Sequence, residues 1–369
     1  MATATTDNLE QQTPGPVAAT MRAAVYRGVN DVRVETVPVP PIGPGEVLIR
    51  VACCGVCGTD LKKIHTGSHS APRIFGHEIA GTIAAAGHEV RGFQVGDRVI
   101  AYHHAPCGHC YYCRKKTFAQ CSTYKRVGCT AGFEPSGGGF AEYVRVMDWI
   151  VERALVKIPG AVSFEQAAFV EPVNTVLKGV RRLDLASDET VLVIGQGPIG
   201  ILLAALAART GAKVLTSDLY PERHAVAANY GLRHPVHAGS EDVIAAAHAA
   251  SEGRGADAVI LAVGGNGLIR TAIDAARPGG RILLFAQTQH GEASFDPAVV
   301  CMDEKTLLGS YSSSFEIEPD VESIVFGGYS GGFDLTRLIS HRFPLEDAVE
   351  AIRVASNPTA SSMKIFVYP

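Results

Sequence analysis

The stretch TVLVIGQGPIG, residues 190–200, constrains the fold most strongly, because it joins an apolar strand directly to a glycine-rich turn. Gly195, Gly197 and Gly200 have the spacing G-x-G-x-x-G, and a helix is expected from Pro198. Gly195 permits a tight turn, Gly197 lets the backbone approach a pyrophosphate, and Gly200 lets helix and strand pack closely. The positive N-terminus of the helix would then face the phosphates. The stretch therefore predicts a dinucleotide-binding turn.

The residues around this turn alternate between strand and helix patterns. The apolar runs AKVLTSD, ADAVILAVG and GRILLFA are separated by helix-like segments such as PERHAVAANYG. Nearly continuous apolar strands between helices are typical of a parallel sheet covered on both faces. We therefore predict an α/β fold, with a doubly wound Rossmann domain over residues 173–314.

The rest of the chain has a different pattern of strand-forming and turn-forming residues. Residues 21–172 contain short strand-like runs interrupted by Gly and Pro, which predict a β-rich domain. Residues 315–369 end in an amphipathic helix and a strand, and we expect them to return to that first domain. Residues 1–20 are expected to form a disordered tail.

The end of the second predicted Rossmann strand bears on the choice of cofactor. Asp218 follows Gly195 by 23 residues. A carboxylate there accepts hydrogen bonds from ribose hydroxyls and repels a 2′-phosphate, which favours NAD. Arg223 can stack near the adenine or hold a 2′-phosphate, so NADP stays open as the less favoured choice. Ile199 and Val263 are further candidates for contacting the cofactor.

Composition excludes several classes of function. The 369 residues carry a net charge of −4, which gives no reason to expect a nucleic-acid or membrane partner. The apolar runs are too short for a membrane span, and the first twenty residues lack the features of a secretory signal. We expect a cytoplasmic protein with reduced thiols, in which clustered cysteines bind metal more often than they form disulfides.

One such cluster is CGHCYYCRKKTFAQC, residues 107–121. Cys107, Cys110, Cys113 and Cys121 have the spacing C-x₂-C-x₂-C-x₇-C, and disulfides, an iron–sulfur cluster and zinc all compete for it. A ferredoxin-type motif would place its fourth cysteine after three residues and follow it with proline. Four thiolates with no open position suit a structural zinc ion.

A second set of candidate ligands lies in CGVCGTD (54–60) and FGHEIAG (75–81). Cys57 and His77 are ligand types that zinc takes, and a catalytic zinc keeps its fourth position open for water or substrate. Taken singly, either residue is equally well explained as a packed side chain.

The order of these motifs, together with GDRV (96–99), resembles that of the zinc-dependent alcohol dehydrogenases of the medium-chain dehydrogenase/reductase superfamily. The resemblance extends from about Met21 to the C-terminus. It implies a GroES-like β-rich catalytic domain beside the Rossmann domain. It also implies NAD, a catalytic zinc ion, and a structural zinc ion at the four cysteines.

The resemblance also implies roles for individual residues. Cys57 and His77 match the catalytic zinc ligands, Thr59 matches the hydroxyl that relays the alcohol proton, and Asp60 matches the carboxylate that orients the histidine. Glu78 matches a carboxylate that ligates the metal in some relatives or exchanges with water.

The third metal ligand points to a branch of the family. Glu171, in FVEPVNT, stands where liver-type enzymes have cysteine, and Glu-Pro there is similar to sorbitol dehydrogenase and its relatives. In those enzymes the glutamate reaches the zinc or holds a zinc-bound water, so Glu78 and Glu171 both remain candidates for the third ligand. Thr175 matches a position against the nicotinamide.

Several residues depart from the family pattern or lie outside it. Lysines occupy positions 62 and 63, near which polyol enzymes often carry a relay histidine. Lys62 and Arg126 are candidates for holding a polar or anionic substrate. The adjacent histidines His103 and His104 are candidates for lining the cleft, but such pairs in a polar loop are more often solvated, which is what we expect here. The remaining thiols are expected to be packed: Cys53, Cys54, Cys129 and Cys301.

The predicted function is reversible oxidation of a secondary alcohol, such as a polyol or sugar, to a ketone with hydride transfer to NAD(P). An L-threonine 3-dehydrogenase-like or simple alcohol dehydrogenase is the alternative, and a zinc-thiolate redox sensor is the non-enzymatic one. Residues 307–314 are similar to the family's subunit-contact strand, so a homodimer or homotetramer is expected.

Overall fold

The computed structural model describes residues 16–124, 126–288, 290–327 and 333–369. Residues 1–15 of the predicted disordered tail lie outside the described residues, and the first strand begins at Thr20. The strands up to residue 157 are β1 (Thr20–Gly28), β2 (Asp31–Pro38), β3 (Val47–Gly55), β4 (Arg73–Ile74), β5 (Glu78–Ala86), β6 (Arg98–Ala101), β7 (Cys129–Thr130), β8 (Tyr143–Val146) and β9 (Leu155–Lys157). The helices of this part are α1 (Gly58–Thr66), α2 (Tyr111–Arg114), α3 (Asp148–Ala154), α4 (Phe164–Ala168) and α5 (Val170–Arg181).

The parallel sheet comes next in the chain. Its strands are β10 (Thr190–Ile194), β11 (Lys213–Asp218), β12 (His234–His237), β13 (Ala256–Leu261), β14 (Ala276–Leu284) and β15 (Thr306–Gly309). Its helices are α6 (Pro198–Ala208), α7 (Pro221–Ala228), α8 (Val243–Ala250), α9 (Asn266–Ala275) and α10 (Pro297–Met302). The strand order is β12-β11-β10-β13-β14-β15, and every neighbouring pair is parallel. This doubly wound order confirms the predicted Rossmann fold and places a ligand crevice where the order reverses, between β10 and β13.

Strand β10 shows why this sheet is covered on both faces. All five of its residues are buried. Val191 and Val193 belong to one core cluster, whereas Leu192 and Ile194 belong to another. Because successive side chains of a strand point to opposite faces, each face of the sheet needs its own covering layer.

The last part of the chain returns to the first sheet. It forms α11 (Glu318–Phe326), β16 (Ile339–Pro344), α12 (Ala348–Ser356) and β17 (Lys364–Tyr368). Strand β17 pairs antiparallel with β3, within the order β16-β17-β3-β5-β6-β9. The boundary expected after residue 172 falls inside α5, which thus runs from one predicted domain into the other. No helix in the described ranges is long and apolar enough to cross a membrane.

Candidate active site

Cys57, His77 and Glu78 converge at the N-terminal ends of α1 and β5. Cys57 caps α1, and Glu78 begins β5 directly after Gly76 and His77. One ligand atom from each of the three side chains lies within 4.8 Å of the others. His77 and Glu78 are buried and Cys57 is half-buried. Two sequence motifs that are twenty residues apart therefore form one donor cluster.

Asp60 fixes the orientation of the His77 ring. Its Oδ1 lies 3.0 Å from His77 Nδ1, and its other oxygen accepts a hydrogen bond from the backbone N–H of Cys57. A carboxylate partner at Nδ1 keeps the proton on that nitrogen. The lone pair of Nε2 is then available to bind a metal ion. Burial raises the pKa of Asp60, but the charge of His77 outweighs this effect and the net shift is downward.

Glu78 pairs with a lysine that the sequence analysis did not identify. Lys364, on β17, places its Nζ 2.5 Å from the Glu78 carboxylate and 3.1 Å from the carbonyl oxygen of Val56. Burial lowers the pKa of Lys364, but Glu78 and Cys57 raise it above its usual value. Gly55 makes room for the pair, since a Cβ there would lie 1.9 Å from Glu78 Oε2.

Glu171 lies near this cluster but outside it. Its Oε1 accepts a hydrogen bond of 3.3 Å from Ser313, and its backbone carbonyl accepts one from the Thr175 hydroxyl. Burial raises the pKa of Glu171 above its usual value. Of the two candidate third ligands, the described structure groups Glu78, not Glu171, with Cys57 and His77.

The cluster opens into a cleft of about 830 Å³. The cleft is lined from one side by the donor cluster and from the other by residues that follow β13 and β14 in the Rossmann domain. Among the predicted site residues, its lining contains Cys57, Thr59, His77, Glu78, Glu171, Thr175 and Ile199. Lys62 also lines the cleft, but Arg126 is not part of the lining and donates to the backbone oxygen of Ser122.

The expectation that His103 and His104 are solvated was wrong for His103, which is buried, whereas His104 is half-buried. His103 is 8% exposed, its ring centroid lies 4.7 Å from that of His77, and both histidines line the cleft. Burial lowers the pKa of His103 well below its usual value, so its imidazole is neutral. The sequence signal was the position of the pair, which directly follows the apolar strand β6 and Tyr102. Among the other thiols, Cys53, Cys54 and Cys129 are buried as expected, whereas Cys301 is exposed.

The glycine turn after β10 has the geometry that a pyrophosphate needs. Gly195 has φ +95°, and a Cβ on Gly200 would lie 1.8 Å from the Gly195 carbonyl oxygen. By contrast, a Cβ on Gly197 would meet no described atom within 4 Å, so the space above it is free for a ligand. Pro198 is the first residue of α6. Val263 packs against Gly195 and is itself outside the cleft lining.

Asp218 ends β11 beside this turn. Its Oδ2 accepts a hydrogen bond of 2.6 Å from the backbone N–H of Gln196, and its Oδ1 accepts one of 3.0 Å from that of Tyr220. Arg223 lies 3.4 Å from Asp218 Oδ2 and also donates to the backbone oxygen of Thr359. The carboxylate is therefore held in place at the edge of the predicted dinucleotide site, with the guanidinium next to it.

The four clustered cysteines also converge. Their sulfur atoms lie within 4.8 Å of one another, with Cys110 and Cys113 at 3.5 Å, and all nine cysteines of the chain are free thiols. Burial raises the pKa of Cys121, but hydrogen bonds from backbone N–H groups lower it to about 6. Of the three explanations for this cluster, the disulfides are therefore excluded.

Both donor sets fit zinc. A thiolate, an imidazole and a carboxylate facing a cleft match an open catalytic site, and four sulfurs match a closed structural one. Glu78 Oε2 is buried and accepts no hydrogen bond from the described residues, although Lys364 Nζ lies 2.5 Å from it.

The chain is similar to known zinc-binding and polyol dehydrogenases. Residues 43–160 match the family model described as alcohol dehydrogenase GroES-like domain, and residues 198–325 match that described as zinc-binding dehydrogenase. A sorbitol dehydrogenase of Bombyx mori is 30% identical over 94% of this chain and 98% of its own length. An L-threonine 3-dehydrogenase of Rhizobium etli is 33% identical over 85% of this chain and 88% of its own. The crystal structure of a zinc-binding dehydrogenase from Sinorhizobium meliloti bound to NADP superposes with a TM-score of 0.84, at 29% identity, over 95% of this chain and all of that one.

Proposed function

The chain belongs to the zinc-dependent alcohol dehydrogenase family of the medium-chain dehydrogenases/reductases, and from this premise we propose that it reversibly oxidises a secondary alcohol of a polyol or sugar to a ketone. The observation that carries the proposal is the donor cluster of Cys57, His77 and Glu78, which lines the same cleft as Ile199 of the glycine motif. The named activities of the sorbitol and threonine relatives support the same reaction class.

The residues divide the work as follows. Cys57, His77 and Glu78 would hold zinc, which when bound supplies a Lewis acid that lowers the pKa of an alcohol. Asp60 keeps His77 oriented through Nδ1. Thr59, half-buried in the cleft lining, is the hydroxyl that relays the substrate proton, accepting it while passing its own proton on.

The remaining residues of the cleft bind and orient. Thr175 and Ile199 form the part of the lining against which the nicotinamide would rest. Glu171, which accepts a hydrogen bond from Ser313, is a group in the cleft to which the substrate can form a hydrogen bond. The overall change is loss of a hydride and a proton from the carbinol, with the hydride reducing NAD.

NAD is the proposed cofactor; supporting it is Asp218, which the backbone N–H groups of Gln196 and Tyr220 hold beside the glycine turn and which would repel a 2′-phosphate. Arg223 already forms an ion pair with Asp218 and a hydrogen bond to the backbone oxygen of Thr359. It would have to break both interactions to bind a 2′-phosphate. The NADP in the Sinorhizobium meliloti structure makes NADP the alternative.

Structural zinc is proposed for the four cysteines, since a loop stabilised by a metal needs no large core of its own. We expect Cys121→Ser to release one of two zinc ions per chain and to leave the other bound, as measured by elemental analysis.

A homodimer or homotetramer through the edge strand β15 and a cytoplasmic, thiol-reducing location complete the proposal. The proposed partner of the protein is a small-molecule alcohol, and neither a nucleic acid nor a membrane is proposed as a partner.

Threonine is the second candidate substrate, favoured by the 33% identity to the Rhizobium etli enzyme. A panel of polyols, sugars, threonine and simple secondary alcohols, followed by NADH absorbance with zinc-loaded protein, separates the candidates. Cys57→Ser should abolish turnover on every substrate and retain NADH binding, followed by NADH fluorescence. A Cys57→Ser variant with wild-type turnover would refute the role of the cluster.

A further inference from the structure

The cleft side of helix α1 carries two lysines next to the proposed catalytic hydroxyl. Thr59, Lys62 and Lys63 stand at positions i, i+3 and i+4, which share one face of a helix. All three line the cleft. Because α-helices rise 1.5 Å per residue, the lysines lie about one turn, or ~6 Å, along the axis from Thr59.

Neither lysine is held in an ion pair by the described residues, although Lys63 interacts electrostatically with the buried carboxylate of Asp60, three residues before it. Lys62 donates a hydrogen bond to the backbone carbonyl of Thr288, which carries no net charge. Lys63 Nζ lies 5.5 Å from the centroid of the Phe75 ring, and a ring does not cancel its charge. Within the described ranges, neither ammonium forms an ion pair with a carboxylate, in contrast to Lys116 with Glu316.

The acids of the cleft lie elsewhere. Glu78 is at the donor cluster and is paired with Lys364, and Glu171 is on α5 beside Ser313. His69 also lines this part of the cleft. Its ring centroid lies 6.0 Å from that of Phe75, the ring that Lys63 contacts. The outer part of the cleft is therefore positive, whereas its carboxylates are at the inner end.

The positive charge continues beyond the cleft. Lys62 also lines an adjoining pocket of about 530 Å³, whose charged lining includes Lys178, Arg182 and Lys116, the last of which is already paired with Glu316. No carboxylate side chain is part of that lining among the described residues. Lys178 and Arg182 therefore add to the positive potential that attracts an anion to Lys62 and Lys63.

We propose, on the basis of the proposed function, that the substrate is an anionic hydroxy compound whose carboxylate or phosphate is bound by Lys63 and Lys62 while its hydroxyl meets Thr59. Lysine ammonium groups bind such anions as flexible point charges. The dinucleotide phosphates do not compete for these lysines, because they belong at Gly197 and the N-terminus of α6. The inference narrows the substrate class to sugar acids, related hydroxy acids or sugar phosphates.

The test compares matched substrates that differ in charge. Sorbitol, gluconate and glucitol 6-phosphate share a six-carbon hydroxyl chain, and butane-2,3-diol and 3-hydroxybutyrate form a shorter pair. With zinc-loaded protein and NAD, we expect kcat/KM for at least one anionic compound to exceed that of its neutral match at least tenfold. The gluconate and phosphate arms distinguish the two kinds of anion.

Lys63→Met removes the charge and keeps the apolar stem. It should lower the anion-to-neutral ratio of kcat/KM at least tenfold, mainly through KM, and Lys62→Met should add to the loss. Lys115→Met, at an exposed lysine outside the cleft, should leave the ratio unchanged. A wild-type ratio near one, or a ratio that Lys63→Met does not change, would overturn the proposal.

Calorimetry separates a failure of this inference from a failure of the proposed function. Gluconate and inorganic phosphate are titrated into zinc-loaded protein saturated with NADH, so that the dinucleotide site is filled. Binding that Lys63→Met weakens at least fivefold supports the anion site even if no compound is oxidised, in which case the proposed reaction is wrong. Equal binding to both proteins, or no binding to either, overturns the anion site whatever the turnover.

Discussion

Lys364→Met is the sharpest test of how the donor cluster is held together. The substitution keeps an apolar stem of similar length but removes the ammonium that pairs with Glu78 at 2.5 Å. The two side chains are 5% and 1% exposed, so water cannot replace the lost partner. In protein stripped of metal, the buried carboxylate must then take up a proton to fold.

The size of the effect follows from that proton. A glutamate carboxyl in water titrates at about 4.3, and each pH unit above this value costs about 1.36 kcal/mol for keeping the proton on. The cost is about 3.7 kcal/mol at pH 7 and about 1 kcal/mol at pH 5. The Val56 carbonyl also loses its donor, which adds roughly 1 kcal/mol at either pH. If the intact pair itself breaks even, the free energy of unfolding falls by about 5 kcal/mol at pH 7 and by about 2 kcal/mol at pH 5.

The sign of the pH dependence is the diagnostic part. The folded variant holds a proton that its unfolded state has lost above pH 5, so the variant gains stability as the pH falls. Urea unfolding of chelator-treated protein, followed by circular dichroism at both pH values, measures it. The double variant Glu78→Gln/Lys364→Met has no carboxyl to protonate and should lose this slope and regain most of the stability. A penalty in the single variant that is the same at both pH values would refute the reasoning.

Three further predictions concern the neighbouring residues. Asp60→Asn should weaken zinc binding about 10- to 100-fold, because the amide no longer fixes the His77 tautomer; chelator competition measures this, and unchanged affinity would contradict the assignment. Asp218→Ala should raise the ratio of kcat/KM for NADP to that for NAD in competition kinetics, and an unchanged ratio would show that this carboxylate does not select the cofactor. Gly55→Ala should destabilise the protein, since its Cβ would lie 1.9 Å from Glu78 Oε2. Gly197→Ala should fold normally, because its Cβ would meet no described atom within 4 Å, but it should bind NADH more weakly. Equal thermal stability of the two variants would contradict this prediction.

Local motifs made much of this protein readable from its sequence. The fold could be predicted because an apolar run followed by G-x-G-x-x-G has few uses other than a strand, a tight turn and a helix. The four cysteines lie within fifteen residues, so the chain needs only a short loop to bring them together. Cys57, His77 and Glu78 could be proposed as ligands by their resemblance to a family, although their spacing alone did not exclude packed residues.

The sequence by itself therefore determined the dinucleotide turn and the sulfur cluster, because in both cases the interacting residues are close in the chain, and local strand and helix patterns indicated the two kinds of domain. Only the tertiary structure decided that Lys364 pairs with Glu78, 286 residues away, and that His103 is buried against His77. It also showed that Lys62 and Lys63 line the cleft and that no carboxylate among the described residues forms an ion pair with either. Charge neutralisation and burial depend on which distant strands and helices meet, and no local pattern of residues encodes those meetings.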